Sequence, residues 1–216
     1  MSAAIAVSLE DGGDARAFVD ALVSDRTSAE ALEAFRAMVL EANTRMNLIG
    51  ASTLDAFWLR HVIDSAQLLW FAPDARVWAD LGTGAGFPGV VLAILLRGRP
   101  LTRIHLIESM SKRCAFLADV ARILELPVEV HNARAEALRL DVQVVTARAC
   151  APLSRLLGYA WPCFERGARG LFLKGRGADE EVARARAIWR FRVLAHPSLS
   201  DPAGRVLAVS DVSRRA

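Results

Sequence analysis

"VWADLGTGAGFPGVVLAILLRG", Val77 to Gly98, decides the fold. It reads as a strand, a glycine-rich turn and a helix. Gly84, Gly86 and Gly89 fit G-x-G-x-x-G, and Gly82 adds a fourth glycine. Such a turn lets a ligand approach the backbone closely, and the helix N-terminus behind it favours negative groups. Sites for NAD and for S-adenosylmethionine (SAM) are both built this way. The bare motif permits either, or a tight turn with no ligand at all.

Two residues inside the stretch tilt the choice. Asp80 precedes Leu81-Gly82, where a carboxylate would repel a pyrophosphate but suit the ammonium end of a methionine group. Pro88 lacks a backbone N–H, so it withholds a donor that a diphosphate could use. Both favour SAM. Further out, "RIHLIES" places Glu108 at the carboxyl end of the next strand, where a carboxylate can accept both ribose hydroxyls. That device serves NAD and SAM alike. "NARAE" places Ala135 and Glu136 just past the third strand, where an adenine edge would be read.

Outward from the turn the chain alternates strand and helix. Strands are expected at Val77–Leu81, Arg103–Ile107, Val128–His131, Val142–Thr146 and Gly170–Leu173, with Arg192–Ala195 and Val206–Val209 closing the sheet. Helices are expected at Pro88–Leu96, Ser111–Leu124, Leu153–Phe164 and Ala178–Trp189. Alternating βα units predict an α/β fold, a mostly parallel sheet with helices on both faces. Upstream, Leu32, Phe35, Val39, Ala42 and Met46 form an apolar stripe at helical spacing, with Ser28 as a candidate cap. A second helix is expected from Thr53 to Trp70. Residues 1–27, rich in Ala, Gly, Ser and Asp, are expected to be mobile. The remainder, 28–216, reads as a single domain with a helical extension over 28–72.

The 216 residues are 53% apolar and 24% charged, enough to bury a full core. The net charge of +3 permits a nucleic-acid partner without requiring one. Lys112 and Lys174 are the only lysines among 27 basic residues, so arginine bias accounts for much of that charge. Cys114, Cys150 and Cys163 are far apart, with no C-x-x-C spacing. They point to buried thiols in a reducing compartment rather than disulfides, and no metal site is expected. The longest apolar run, Val90 to Leu96, is far short of the ~18 residues of a membrane span. No leader pattern precedes the early acids Glu10, Asp11 and Asp14, so a cytoplasmic protein is expected.

Taken in order, D-L-G-T-G-A-G-F-P-G, L-I-E-S-x-x-K-R, N-A-R-A-E, V-T-A-R-A and L-K-G-R resemble the RsmG (GidB) family, with "RMNLIG" and "RHVIDS" matching upstream. The resemblance covers about residues 28–180. It implies a seven-stranded, Rossmann-like SAM-dependent methyltransferase fold. It implies methylation of guanine N7 at position 527 in the 530 loop of 16S ribosomal RNA, on the RNA or the small subunit. A monomer is expected. Carried onto this chain, the cofactor residues are Asp80, Gly82, Gly84, Phe87, Glu108, Ala135, Glu136 and Arg148. Gln143 stands where the family usually has Asp.

Guanine N7 carries a free lone pair, so no general base is required and no catalytic acid or base is assigned. Arg60, His61, Lys112, Arg113 and Lys174 are the candidate substrate-binding residues, with Asn47 and Asp64 able to complete an RNA face. Lys112 and Lys174 are the expected phosphate contacts. Three other readings share some of these features: a SAM methyltransferase of another acceptor, an NAD-dependent reductase, and an RNA-binding module with a vestigial pocket. The reductase lacks a Tyr-Lys pair, since Tyr159 is the only tyrosine.

Overall fold

A computed structural model describes residues 26–50 and 53–215. The expected mobile segment falls outside them except for Arg26 and Thr27, which are helical. Helix α1 runs Arg26–Met46. A second helical stretch follows as a π-helix, Trp58–Ile63, then α2 (Asp64–Ala66) and α3 (Leu68–Phe71). The α/β unit is β1 (Val77–Leu81), α4 (Gly89–Leu96), β2 (Arg103–Glu108), α5 (Ser111–Ile123), β3 (Val128–Asn132), a 3-10 turn (Ala135–Ala137), β4 (Val144–Arg148), α6 (Leu153–Phe164), β5 (Arg169–Lys174), α7 (Ala178–Ala185), β6 (Trp189–Pro197) and β7 (Arg205–Arg214).

The seven strands lie in the order β3-β2-β1-β4-β5-β7-β6. β1 to β5 are parallel, and β7 runs antiparallel between β5 and β6. The chain therefore leaves β1 in one direction and returns to its other side at β4. In open sheets of this kind, ligands bind where the order reverses, beyond the carboxyl ends of the strands.

Strand alternation divides the core in two. Trp78, Ile104, Leu106 and Val144 join α1, α4 and α5 in one cluster. Ala79, Leu81, Ile107, Val145 and Phe172 join α6 and α7 in the other. The apolar run Val90 to Leu96 is thus a core helix, buried almost all round. No helix among the described residues is long and apolar enough to cross a membrane.

Three local expectations need correction. Ser28 lies within α1 rather than capping it, and its hydroxyl faces the Ile94 carbonyl at 3.5 Å. β4 starts two residues later than expected. Gln143 instead uses its side-chain oxygen to accept the Arg76 and Val77 N–H groups at 2.6 and 3.0 Å. That places Gln143 at the amino end of the sheet, bracing β1 far from any ligand. α7 ends at Ala185 and Trp189 opens β6, because its indole N–H donates to the Ser154 carbonyl at 2.9 Å.

Candidate functional site

The glycine turn is held from beneath. Asp80 is fully buried; one carboxylate oxygen accepts the Gly89 N–H at 2.9 Å, the other the Thr146 hydroxyl at 3.1 Å. It shares the sheet face of Trp78, toward α4, so strand alternation turns it away from the open crevice. The expected contact with a cofactor ammonium is corrected: Asp80 is a brace that ties β1 and β4 to the start of α4. A carboxylate at a helix N-terminus is favourable, yet burial pushes its pKa up to about 6.

Gly82 has a φ of 62°, and a Cβ there would stand 2.6 Å from the Cys150 sulfur. Only glycine fits against that thiol. At Gly84 the nearest atom to a Cβ would be the Gly82 carbonyl oxygen at 3.9 Å, so the turn is open on that side. Glu108 reaches the turn from β2. Its carboxylate accepts the Gly84 N–H at 3.2 Å and the Met110 N–H at 2.9 Å, with an Arg113 nitrogen 3.6 Å away. Ala135 and Glu136 sit in the 3-10 turn after β3, Glu136 exposed. Open backbone at Gly84, a carboxylate beside it and a loop beyond β3 fit a nucleoside bearing vicinal hydroxyls.

Phe87 turns inward. Its ring stacks on His61 with centroids 4.6 Å apart, and the Arg148 guanidinium lies 4.9 Å above it. Its side chain is core, which leaves the backbone of Phe87 as the part that can face a cofactor.

A cavity of about 760 Å³ opens beside the turn, at the carboxyl ends of β4 and β5. That volume suits a small organic group, within the ~300–1,000 Å³ of ligand pockets. Arg148, Cys150 and Lys174 line its sheet side; Arg60, His61 and Asp64 come from the helical stretch. The π-helical turn carries Arg60 and His61, a departure from the plain helix expected over Thr53 to Trp70. Such widened turns recur at functional sites.

The charges here are paired. Arg148 donates to the Arg60 carbonyl at 2.7 Å and lies 3.6 Å from Asp64. Burial pushes the Asp64 pKa up, opposed by the Ser200 hydroxyl and by Arg148 and Arg60. Lys174 is partly buried, donating to the Ala151 carbonyl at 2.6 Å and pairing with Glu181 at 2.8 Å. Its ammonium is thus already engaged at the cavity wall rather than free for a phosphate. Arg113 is likewise engaged by Glu108 rather than free. Lys112 stands exposed at the start of α5. Arg60 is partly exposed and pairs with Asp201 at 2.9 Å.

His61 is buried. Its Nε2 is 3.1 Å from the Thr53 hydroxyl, and burial, then Arg148 and Arg60, hold its pKa down to about 3. It is therefore a neutral ring that packs on Phe87 and lines the cavity wall. Asn47 is exposed just past α1 with a φ of 48°.

Sequence reasoning missed Thr146, Cys150 and the hairpin residues Ser198 and Ser200. Thr146 opens "TARA" and Cys150 follows it, and neither has a spacing that marks a structural role. Ser200 meets Asp64 across 136 positions, with no local pattern to reveal it.

The model of the family described as "GidB: rRNA small subunit methyltransferase G" matches residues 28–203. The chain belongs to this family. A ribosomal RNA small subunit methyltransferase G of Caulobacter vibrioides (strain NA1000 / CB15N) is 51% identical over 201 residues, 93% of each chain. One from Caulobacter sp. (strain K31) is 60% identical over 178 residues, 82% of this chain and 80% of that one. Among solved structures, cofactor-bound Rv0187 from MTB superposes with a TM-score of 0.60 at 18% identity, covering 93% of this chain and 96% of that one. A methyltransferase from Geobacter sulfurreducens gives 0.56 at 16%, covering 90% and 93%. These likenesses show the Rossmann-like methyltransferase fold. The GidB family membership makes the chain a SAM-dependent methyltransferase, as the sequence motifs imply.

Proposed function

We propose that this GidB family member methylates N7 of one guanine, position 527 in the 530 loop of 16S ribosomal RNA. The observation that carries the reading is the shared wall at Gly82 and Cys150. It sets a nucleoside cradle directly beside a separate cavity of about 760 Å³. A donor and an acceptor can meet there.

SAM, when bound, supplies a methyl group on a positively charged sulfur. The Glu108 carboxylate orients the ribose, and the loop at Ala135 and Glu136 flanks the adenine. The Gly82–Gly84 backbone leaves the approach open. In the acceptor cavity a guanine would be held with its N7 lone pair toward the methyl carbon, which would pass to N7 with the carbon–sulfur pair left on sulfur. The positive charge moves to the purine and no proton is transferred. The protein therefore has to position rather than to titrate, and placement alone can contribute on the order of 7–11 kcal/mol. Arg148 is neutralised by Asp64, which limits its repulsion of a purine that is gaining charge.

The target base must be unstacked, because the N7 edge lies in a groove too narrow for side chains in A-form RNA. Lys112 and the exposed Arg176, two residues after Lys174, are cations placed to meet phosphates, and Arg60 could join them by exchanging Asp201 for a phosphate. A monomer acting in the cytoplasm on the RNA or the small subunit fits this reading.

The test is transfer of labelled methyl groups to 16S RNA and to small subunits lacking the modification, followed by mapping of N7-methylguanine. One methyl at one guanine of the 530 loop is expected. Transfer to another position, or only to an acceptor that is not ribosomal, overturns the proposal.

A further inference from the structure

The connection from β3 to β4 contains only the short 3-10 turn Ala135–Ala137, so the adjoining face of β2 and β3 is thinly covered. Buried and partly buried positions on such a face are ordinarily apolar. Here they are His105 and His131, with the exposed Glu129 beside them. The register pairs His105 with Glu129 and Ile107 with His131, so alternation brings all three side chains to one face. His105 Nδ1 lies 2.9 Å from His131 Nε2. The Glu129 carboxylate oxygens lie 3.5 Å from the first nitrogen and 3.6 Å from the second.

We propose that His105, Glu129 and His131 form a binding site for one divalent cation, zinc by donor type and spacing, with water completing the coordination. A proton between the two rings joins only one pair of atoms. The carboxylate stands beyond the ~2.7–3.2 Å of a good hydrogen bond, yet it faces both nitrogens. Ligand atoms about 2.0–2.1 Å from a tetrahedral zinc stand about 3.3–3.4 Å apart, and the three separations straddle that value. Two imidazoles and one carboxylate are a zinc donor set. The side chains are 8%, 15% and 54% exposed for His105, His131 and Glu129, so a cation enters from the edge-strand side.

The site is separate from the glycine turn and does no chemistry on the methyl group. It clips edge strand β3 to β2. β3 ends at Asn132, whose amide donates to the Glu108 carbonyl at 3.3 Å. The clip thereby steadies the strand that leads to Ala135 and Glu136.

The test is titration of the chelator-stripped full chain with zinc chloride alone, by calorimetry and thermal melting. One equivalent bound with a rise in melting temperature is expected, and at least ~100-fold weaker binding in the Glu129→Gln/His131→Gln double variant. Both positions lie on the edge strand, and circular dichroism checks that the variant folds. A readout on the unaltered protein is independent of that. Of the four histidines, zinc should move the ring NMR signals of His105 and His131 and leave those of His61 and His196 in place. No saturable binding, binding undiminished in the double variant, or unmoved His105 and His131 signals overturns the proposal.

Discussion

The glycine-turn side and the cavity side of this molecule are built in opposite ways. On the turn side, carboxylates are held by backbone N–H groups: Asp80 by Gly89, nine positions on, and Glu108 by Met110, two positions on, and by Gly84, 24 positions back. On the cavity side, cations are held by carboxylates and carbonyls from distant segments. Arg148 reaches across 88 positions to the Arg60 carbonyl, and Ser200 across 136 to Asp64. The first kind of construction preorganises donors for a small charged cofactor. The second makes a near-neutral chamber whose walls depend on one another.

The comparison breaks first at Arg148. Arg148→Ala leaves Asp64 buried without its main cation, and loss of one partner of a buried pair costs about 3–5 kcal/mol. Urea denaturation should show this; a change below ~1 kcal/mol would mean the cavity side does not depend on that pair. Next comes pH. His61 has a folded pKa below its unfolded value, so its contribution to stability is full above about pH 6.5 and drains as pH falls toward about 3. Asp80 has the opposite sign: its folded value of about 6 lies above the unfolded one, so its contribution is full below about pH 3.8 and is lost as pH rises through 6. His61→Gln should remove the gain in stability between about pH 3 and 6.5, and Asp80→Asn the opposing loss between about pH 3.8 and 6, each on the order of a few kcal/mol. Profiles unchanged in both variants would refute the assignment.

Glu108→Gln separates the two sides more finely. Loss of a charged acceptor is worth about 1.5–3 kcal/mol, so SAM affinity should fall roughly 10–100-fold in calorimetry while RNA binding holds. Equal losses of both would show that the two sides are not separable. The smallest effect belongs to Lys112→Ala. It should leave folding intact and lower the salt-dependence slope of RNA binding by about 1. A slope that does not move takes Lys112 off the RNA face.

The same contrast explains what the sequence could tell. β1 and α6 were legible to the residue, because apolar alternation, glycines and a sharp helix period are local. Asp80 was visible as a carboxylate, but its direction follows from strand parity against α4, which the motif does not encode. Lys174 looked like a free cation because Glu181 lies a loop and a helix turn away. Phe87 and Pro88 signalled the family, while the inward packing of the ring on His61 is a tertiary fact. The His105 cluster lies on two strands and has no spacing a linear reading would notice.

The hairpin turn that carries Ser198 and Ser200 gives the site an order in time. Asp64 is synthesised 136 residues before Ser200, or about 7–27 s earlier at 5–20 residues per second. The cofactor cradle, complete once β4 and Cys150 exist, can form while the far wall of the cavity is still unmade. A chain that stops early, or whose β6–β7 hairpin has come undone, would keep its grip on the cofactor and have no chamber in which to spend it.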